Sequence, residues 1–302
     1  MKWALVLSGG GALGLAYIGF FKALEKLGYP KPDCIVGCSA GSIAGALYAL
    51  GMPVQQMEAV FSHSFDVNRY VGSGHEMHIP ILKDVFRNFI QYGTLLTHMI
   101  TGNGADSGDK VYKLFMELSG CKSFEDCTIP FFCNALDLCS GKEVVLESGL
   151  LADAMRASSS YPGLFTPVKR DSAVLIDACS IDNTPVCIAR RKGYKNILAL
   201  TFGPPVPMNM SELNSSLAVL IRTLHCTSAQ IALTPEDYPS AFISFENQRK
   251  ANDFKEPEKQ IAFGYQRTVD EKELLQAFFS TGIRGRIRRA VLSQKTKKEY
   301  MI

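Results

Sequence analysis

The feature that most constrains the fold is a glycine-rich turn between a short apolar run and a helix, which occurs twice near the start of the chain. The first apolar run is Trp3–Leu7, followed by a turn over residues 8–14, and the second run ends in a turn over residues 37–42. Short runs that are wholly apolar predict strands buried on both faces of a parallel sheet. The sequence therefore predicts an α/β fold in which helices join parallel strands.

The rest of the chain continues this alternation. We expect an α/β fold with three α/β/α layers around a mostly parallel central sheet, in a single domain over residues 1–302. Residues 61–120 are predicted to form a helical cap or insertion, and residues 284–302 a basic tail. Further strands are predicted at 129–136, 143–146, 173–176, 196–202 and 241–245, and helices at 151–160 and 211–233.

Composition excludes several classes of protein. The formal charge is +3 on 32 basic and 29 acidic residues, which argues against a dedicated nucleic-acid binder. The nine cysteines contain no Cys-x-x-Cys pair, so a structural zinc site is not expected. We expect a reducing, cytoplasmic location instead. No apolar run is long enough to span a membrane. The basic tail could contact anionic lipid headgroups, which would make the protein peripheral to a membrane, although a solvated helix is the commoner meaning.

The two turns together supply most of a hydrolytic site. Ser39 lies between Gly37 and Gly41, a Gly-x-Ser-x-Gly pattern that exposes a nucleophilic hydroxyl at a strained strand-to-helix turn. The N–H groups of Gly9, Gly10, Gly11 and Ala12 converge at the start of a helix and could bind an oxyanion. The base is left open by this reasoning, because His225 lies on a helical segment where a lone histidine is usually structural.

The first turn also fits a different class of protein. Gly9, Gly11 and Gly14 match the dinucleotide-binding fingerprint, which requires an acidic residue at the end of the second strand. Asp33 has about the right spacing, but it precedes its strand. A nucleotide-binding domain is therefore the less favoured alternative.

Four motifs in order resemble the patatin-like phospholipase family. They are the glycine turn at residues 8–14, the Ser39 turn, residues 156–165 (RASSSYPGLF), and residues 176–186, which begin with Ile176 and Asp177. The resemblance implies a Ser39–Asp177 dyad without histidine and an oxyanion hole from Gly9, Gly10 and Gly11. It also implies hydrolysis of phospholipid, lysophospholipid or other acyl esters, with no metal and no cofactor.

Other roles for these residues stay open. Ser39 could be a helix N-cap, Asp177 could be a satisfied turn residue with Asp182 as the next candidate base, and Cys38 is expected to be buried filler. Leu13 stands where the family usually has a basic residue, and Ala178 and Cys179 stand where the family usually has Gly-Gly or Gly-Ala. These departures motivate an alternative function, a catalytically weak or silent protein that binds lipids or acyl ligands on the same fold.

Overall fold

A computed structural model describes residues 1–62 and 108–300, apart from 204, 206, 214–215, 229–233, 235–236, 248, 250 and 252–255. The predicted cap over 61–120 therefore lies largely outside the described residues. Within them, the strands are β1 Trp3–Leu7, β2 Cys34–Gly37, β3 Phe131–Asp137, β4 Lys142–Leu146, β5 Val168–Arg170, β6 Ala173–Ile176, β7 Asn196–Thr201 and β8 Ala241–Ser244.

The centre of the sheet is parallel. β1 pairs with β2 on one side and with β7 on the other, and β2 and β7 pair in turn with β3 and β8, all in parallel. β4, β5 and β6 join through antiparallel pairs at the β3 side. The predicted fold class is thus confirmed, and β5 is a strand that the sequence reasoning missed.

Both faces of the sheet are buried, as the apolar runs predict. Along β1, Trp3, Leu5 and Leu7 enter a large core cluster on one face. The alternate residues Ala4 and Val6 enter a smaller cluster on the other face. This two-residue alternation places helical layers on both sides of the sheet.

The described helices include several that the sequence reasoning did not predict. Their bounds are α1 Ala16–Lys26, α2 Ala40–Ala49, α3 Val54–Ser62, α4 Asp109–Ser119, α5 Leu151–Ser158, α6 Val186–Arg191, α7 Ser216–Ser228, α8 Pro257–Asp270, α9 Lys272–Phe279 and α10 Gly282–Glu299. The helix predicted over 211–233 is wrong at its start, because a 3-10 turn over Met210–Glu212, closed by a capping box with Asn209, precedes α7. In the described part of the chain, no helix combines the length and apolarity needed to cross a membrane.

Strand β3 sets the geometry of the site because each of its two edges is occupied. β4 pairs with Cys133 through Asp137 along one edge. β2 pairs with Phe131 through Cys133 along the other edge, and β6 pairs with Leu136 and Asp137 beyond the end of β2. Since β6 is antiparallel to β3, the carboxyl ends of β2 and β6 approach each other end to end.

Helix α9 packs into the core, and the chain's single tryptophan can report on this contact. Trp3 in β1 contacts the ring of Phe278 in α9 edge-on, with centroids 5.8 Å apart, and both side chains are fully buried. We expect Phe278→Ala to lower the free energy of unfolding by about 3–5 kcal/mol, since it leaves a cavity. Phe278→Leu, which keeps most of the volume, should cost less than about 1.5 kcal/mol.

Urea unfolding followed by Trp3 fluorescence measures both variants. Ile283→Ala is the control, because this side chain on α10 is 78% exposed, and it should change stability by no more than about 0.5 kcal/mol. Equal stability of Phe278→Ala and wild type would mean that α9 is dispensable to the core.

Candidate active site

Ser39 lies at a strained turn between β2 and α2. Its backbone has φ 51° and ψ −120°, in a region that residues with a side chain rarely adopt. The N–H of Ser39 donates to Oγ of Ser158 at 3.0 Å, and the hydroxyl of Ser42 donates to the carbonyl oxygen of Ser39 at 2.6 Å. These bonds hold the turn from both sides and leave the Ser39 side chain partly exposed.

The two flanking glycines are required by close contacts. A Cβ atom on Gly41 would lie 2.2 Å from the carbonyl oxygen of Leu7, and one on Gly37 would lie 2.4 Å from the carbonyl oxygen of Gly41. Backbone atoms cannot move aside as a flexible side chain can. The sharp turn that raises Ser39 above the end of the sheet is therefore possible only with glycine at both positions.

Asp177 follows β6 and is fully buried. Its Oδ1 atom accepts the N–H of Cys179 at 2.9 Å and lies 3.7 Å from the thiol of Cys38, which can donate to it. Oδ2 is buried and has no hydrogen-bond partner at normal distance among the described residues. The Asp177 side chain thereby caps a short 3-10 turn over Ala178–Ser180, so the N–H of Cys179 orients the aspartate.

The electrostatics of Asp177 differ from those of an ordinary surface carboxylate. Burial raises its pKa to about 6, and hydrogen bonds from Ser39, Cys179 and Cys38 only partly oppose that increase. The Ser39 hydroxyl therefore lies near the carboxyl group, although Oδ2 does not meet normal hydrogen-bond geometry. Contacts of this kind are often loose in the absence of a substrate. Burial and Asp177 keep the pKa of the Cys38 thiol well above its usual value, so it remains a donor.

The glycine turn offers fewer free N–H groups than the sequence suggests. The N–H of Gly9 donates to the carbonyl oxygen of Asn183, and that of Ala12 to the carbonyl oxygen of Ala251, at 3.1 and 2.7 Å. Within the described residues, no hydrogen bond takes up the N–H groups of Gly10 and Gly11. Of the four predicted oxyanion donors, these two remain available.

Three residues that sequence reasoning missed or misjudged support the site. Asn183 donates its side-chain amide to the carbonyl oxygen of Gly9 at 3.1 Å and so fixes the glycine turn. Ser158 holds Ser39, and Cys38, expected to be filler, contacts Asp177. Residues 156–165 connect both catalytic candidates, since the carbonyl oxygen of Ser160 accepts the N–H of Asp177 at 3.0 Å. The only sequence signal was their position inside the quoted motifs.

The competing candidates have other partners. His225 lies 2.9 Å from the hydroxyl of Tyr161, and burial together with Arg222 lowers its pKa. Asp182 accepts the N–H of Thr184 at 3.2 Å, and burial raises its pKa to about 7. Asp33 accepts the N–H of Trp3 at the start of β1, at the opposite edge of the sheet from Ser39, which does not suit a nucleotide ribose.

One cluster has the donor types of a metal site. Single ligand atoms of Glu143, Asp182 and Cys187 lie within 4.8 Å of one another. However, the guanidinium of Arg191 donates to Glu143 at 3.1 Å and to the sulfur of Cys187 at 3.5 Å. A cationic side chain thus already occupies the position that a metal ion would need.

The chain is similar to known proteins of one family. A family model described as patatin-like phospholipase matches residues 5–190, which confirms the predicted resemblance. The chain is 32% identical over 219 residues to Lysophospholipase NTE1 of Debaryomyces hansenii, covering 72% of this chain and 13% of that protein. It is 32% identical over 199 residues to Lysophospholipase NTE1 of Cryptococcus neoformans, covering 66% of this chain and 11% of that protein. The chain thus spans a small fraction of the length of these relatives.

Solved structures show more distant similarity. VipD from Legionella pneumophila has a TM-score of 0.47 at 14% identity, covering 90% of this chain and 67% of that chain. Human GIVD cytosolic phospholipase A2 has a TM-score of 0.43 at 11% identity, covering 92% of this chain and 59% of that chain.

The bond between Ser158 and Ser39 can be tested by comparing two adjacent serines. Ser158→Ala leaves the N–H of Ser39 without its acceptor, and we expect a loss of about 1–3 kcal/mol in the free energy of unfolding. Ser159→Ala removes only a hydroxyl that donates to the carbonyl oxygen of Met155 in the same helix, and it should cost less than about 1 kcal/mol. Chemical unfolding measures both. Equal losses would show that Ser158 does not hold the Ser39 turn.

Proposed function

Since the chain belongs to the patatin-like phospholipase family, we propose that it is a lipid acyl hydrolase that acts through an acyl-Ser39 intermediate with Asp177 as the base. The observation that carries the proposal is the buried Oδ2 atom of Asp177, which has no described partner and belongs to a carboxyl group near the Ser39 hydroxyl. A base needs a free lone pair directed at the proton that it removes.

The first half of the reaction forms the acyl-enzyme. Oδ2 of Asp177 takes the proton of Ser39 as Oγ attacks the carbonyl carbon of the ester. Negative charge then develops on the former carbonyl oxygen, and the N–H groups of Gly10 and Gly11 stabilise it. The tetrahedral intermediate collapses when Asp177 returns the proton to the leaving alcohol oxygen, which leaves the acyl group on Ser39.

The second half releases the acid. Asp177 takes a proton from water, whose oxygen attacks the acyl carbonyl carbon, and the same two N–H groups stabilise the second oxyanion. Collapse breaks the bond to Oγ, and the proton on Asp177 restores the Ser39 hydroxyl. Each proton that Asp177 accepts is returned within the same half-reaction, so these steps need neither a metal nor a cofactor.

A pKa of about 6 suits Asp177 for this role. The group is ionised at neutral pH, yet it is more basic than a solvent-exposed aspartate and therefore a better proton acceptor. The donors on Oδ1, from Cys179 and Cys38, fix the carboxylate plane and leave Oδ2 for the serine. Asp137 shows the contrast, since hydrogen bonds from Ser140, Val174 and Cys139 lower its pKa to about 2.

We infer the substrate class from the relatives. Two of them are named as lysophospholipases, so lysophospholipids and phospholipids are the first substrates to test, followed by simpler acyl esters. A cytoplasmic location and the absence of a nucleic-acid partner remain part of the proposal. All nine cysteines are free thiols, which is compatible with a reducing location.

The second candidate is a lipid-binding protein on the same fold with an unreactive serine. Leu13 supports it, because the glycine turn has a hydrocarbon side chain where a cation is usual in the family. A fluorophosphonate probe distinguishes the two, since only an activated serine is labelled. Labelling of wild type, but not of Ser39→Ala, favours the hydrolase.

The dyad predicts a separation of activity from stability. Ser39→Ala and Asp177→Asn should each reduce the hydrolysis of a short p-nitrophenyl ester at least about 10³-fold. Asp177→Asn should not lower stability at neutral pH. Burial raises the pKa of Asp177 in the folded protein from 3.8 to about 6. The stability that protonated Asp177 contributes below pH 3.8 is therefore lost as the pH rises through that interval, so ionised Asp177 does not stabilise the fold at neutral pH. Asp182→Asn is the matched control, and full activity in Asp177→Asn would exclude the dyad.

The pH profile tests the donors on Asp177. We expect kcat/KM on a soluble ester to rise with pH through a midpoint at about 6 and then to level off, because only ionised Asp177 accepts a proton. Cys38→Ala removes a donor that stabilises the carboxylate, so the midpoint should move to higher pH. Cys133→Ala, another fully buried thiol, is the control and should leave the midpoint in place. An unchanged midpoint in Cys38→Ala would contradict a role for its thiol.

A further inference from the structure

Residues 208–213 and 218–220, here the rim segment, expose apolar side chains beside the candidate active site. It follows β7, which is parallel to β1 and β2, so it leaves the sheet at the same edge as the glycine turn and Ser39. Helix α7 at its end contacts the 3-10 turn that follows Asp177. His225 of α7 is also bonded to Tyr161, within residues 156–165.

Large apolar side chains are unusually exposed along this segment. Met210 is 91% exposed, and Val219 and Leu220 on α7 are 49% and 51% exposed. Met208 and Leu213 are each 40% exposed. Exposed apolar clusters of this kind are typical of surfaces that contact a partner or a membrane. The capping box of Asn209 and Glu212 fixes the turn that presents Met210, so its exposure is built into the local structure.

The charge of the segment narrows the choice of partner. The rim segment contains one acidic residue, Glu212, and the rest of α7 contributes one basic residue, Arg222, so residues 207–228 together have no net formal charge. A surface without net charge is suited neither to nucleic acid nor to a strongly anionic bilayer. It is suited to a zwitterionic lipid surface, into which flexible methionine and leucine side chains can insert.

A second exposed apolar stripe provides a comparison. On α10, Ile283, Ile287 and Val291 are 78%, 60% and 62% exposed and follow one another at four-residue spacing. This helix also carries seven basic residues and one acidic residue, so the rest of the chain has a formal charge of −3. However, Thr296 of α10 donates to the carbonyl oxygen of Ser240, just before β8. Since β8 is parallel to β7, α10 contacts the edge of the sheet opposite Ser39.

We propose that the rim segment docks the protein on a zwitterionic lipid surface, with Met210 and Leu220 inserted among the lipids beside the active site. The inference rests on the proposed function for its biological purpose, because docking at this edge brings the ester of an aggregated lipid to Ser39. A soluble, monomeric ester needs no such docking. Hydrolysis of vesicle lipid should therefore depend on the rim segment, whereas hydrolysis of a soluble ester should not.

The test uses two double variants of the full chain. Met210→Asp with Leu220→Asp places charges on the rim segment, and Ile287→Asp with Val291→Asp does the same on α10 as the matched control. Binding is measured by co-sedimentation with phosphatidylcholine vesicles, in a Ser39→Ala background so that the vesicles stay intact. Hydrolysis is measured on phosphatidylcholine and lysophosphatidylcholine and on p-nitrophenyl butyrate, with Ser39 present.

The rim variant should lose about 100-fold or more in vesicle binding, since two apolar side chains that insert into the lipid in the proposal are replaced by charges. Its hydrolysis of vesicle lipid should fall in parallel, while hydrolysis of p-nitrophenyl butyrate stays within about twofold. Binding of the wild type should be insensitive to salt, because the contact is apolar. The α10 variant should behave like the wild type throughout.

Undiminished vesicle binding by the rim variant would overturn the proposal, and so would a loss confined to the α10 variant. The sedimentation result decides the matter without any turnover, so docking can be judged even if no ester is hydrolysed. A wild type that neither hydrolyses p-nitrophenyl butyrate nor reacts with a fluorophosphonate would instead remove the proposed function.

Discussion

The strained backbone of Ser39 is the constraint on which the rest of the site depends. A residue with φ 51° and ψ −120° costs on the order of 1–3 kcal/mol and persists only where its surroundings enforce it. Here the enforcement comes from the close approach of Gly41 to Leu7 and from the hydrogen bonds of Ser158 and Ser42. The turn points a hydroxyl away from the sheet at the N-terminus of α2. The turn is stable because the ends of β1 and β2 and the side chain of Ser158 in α5 meet there.

Sheet topology brings Asp177 to that turn. β3 extends beyond the end of β2, and the antiparallel strand β6 uses the free part of its edge, so β6 ends where β2 ends. Asp177, the next residue, is buried there with one oxygen bonded and the other unpaired. Burial of an incompletely bonded carboxyl group opposes folding, and this is the usual cost of a tuned catalytic acid or base. Asp137, which pairs with Leu175 of β6, accepts hydrogen bonds at both carboxylate oxygens and serves structure instead.

Features that depend on neighbouring residues could be predicted from the sequence, whereas features that depend on residues far apart in the chain could not. The strand-turn-helix junctions are local, so the sheet and the positions of Ser39 and Asp177 could be predicted from short patterns. The partners that set their chemistry are remote, since Ser158 is 119 residues from Ser39 and Asn183 is 174 residues from Gly9. Which N–H groups of the glycine turn stay free was decided by Asn183 and Ala251, which no local pattern reveals. The single-domain assignment and the cap over 61–120 stay predictions.

The parallel strands at the centre of the sheet also place the candidate active site and the rim segment at the same edge. The turns after β1, β2 and β7 all leave at the carboxyl edge, so the glycine turn, the serine turn and the rim segment share one side of the fold. α10 contacts the other edge through Thr296, which donates to the carbonyl oxygen of Ser240 just before β8. The proposed docking through the rim segment would bring lipid to the edge of the sheet at which Ser39 lies, because β2 and β7 are both parallel to β1 and end at that edge.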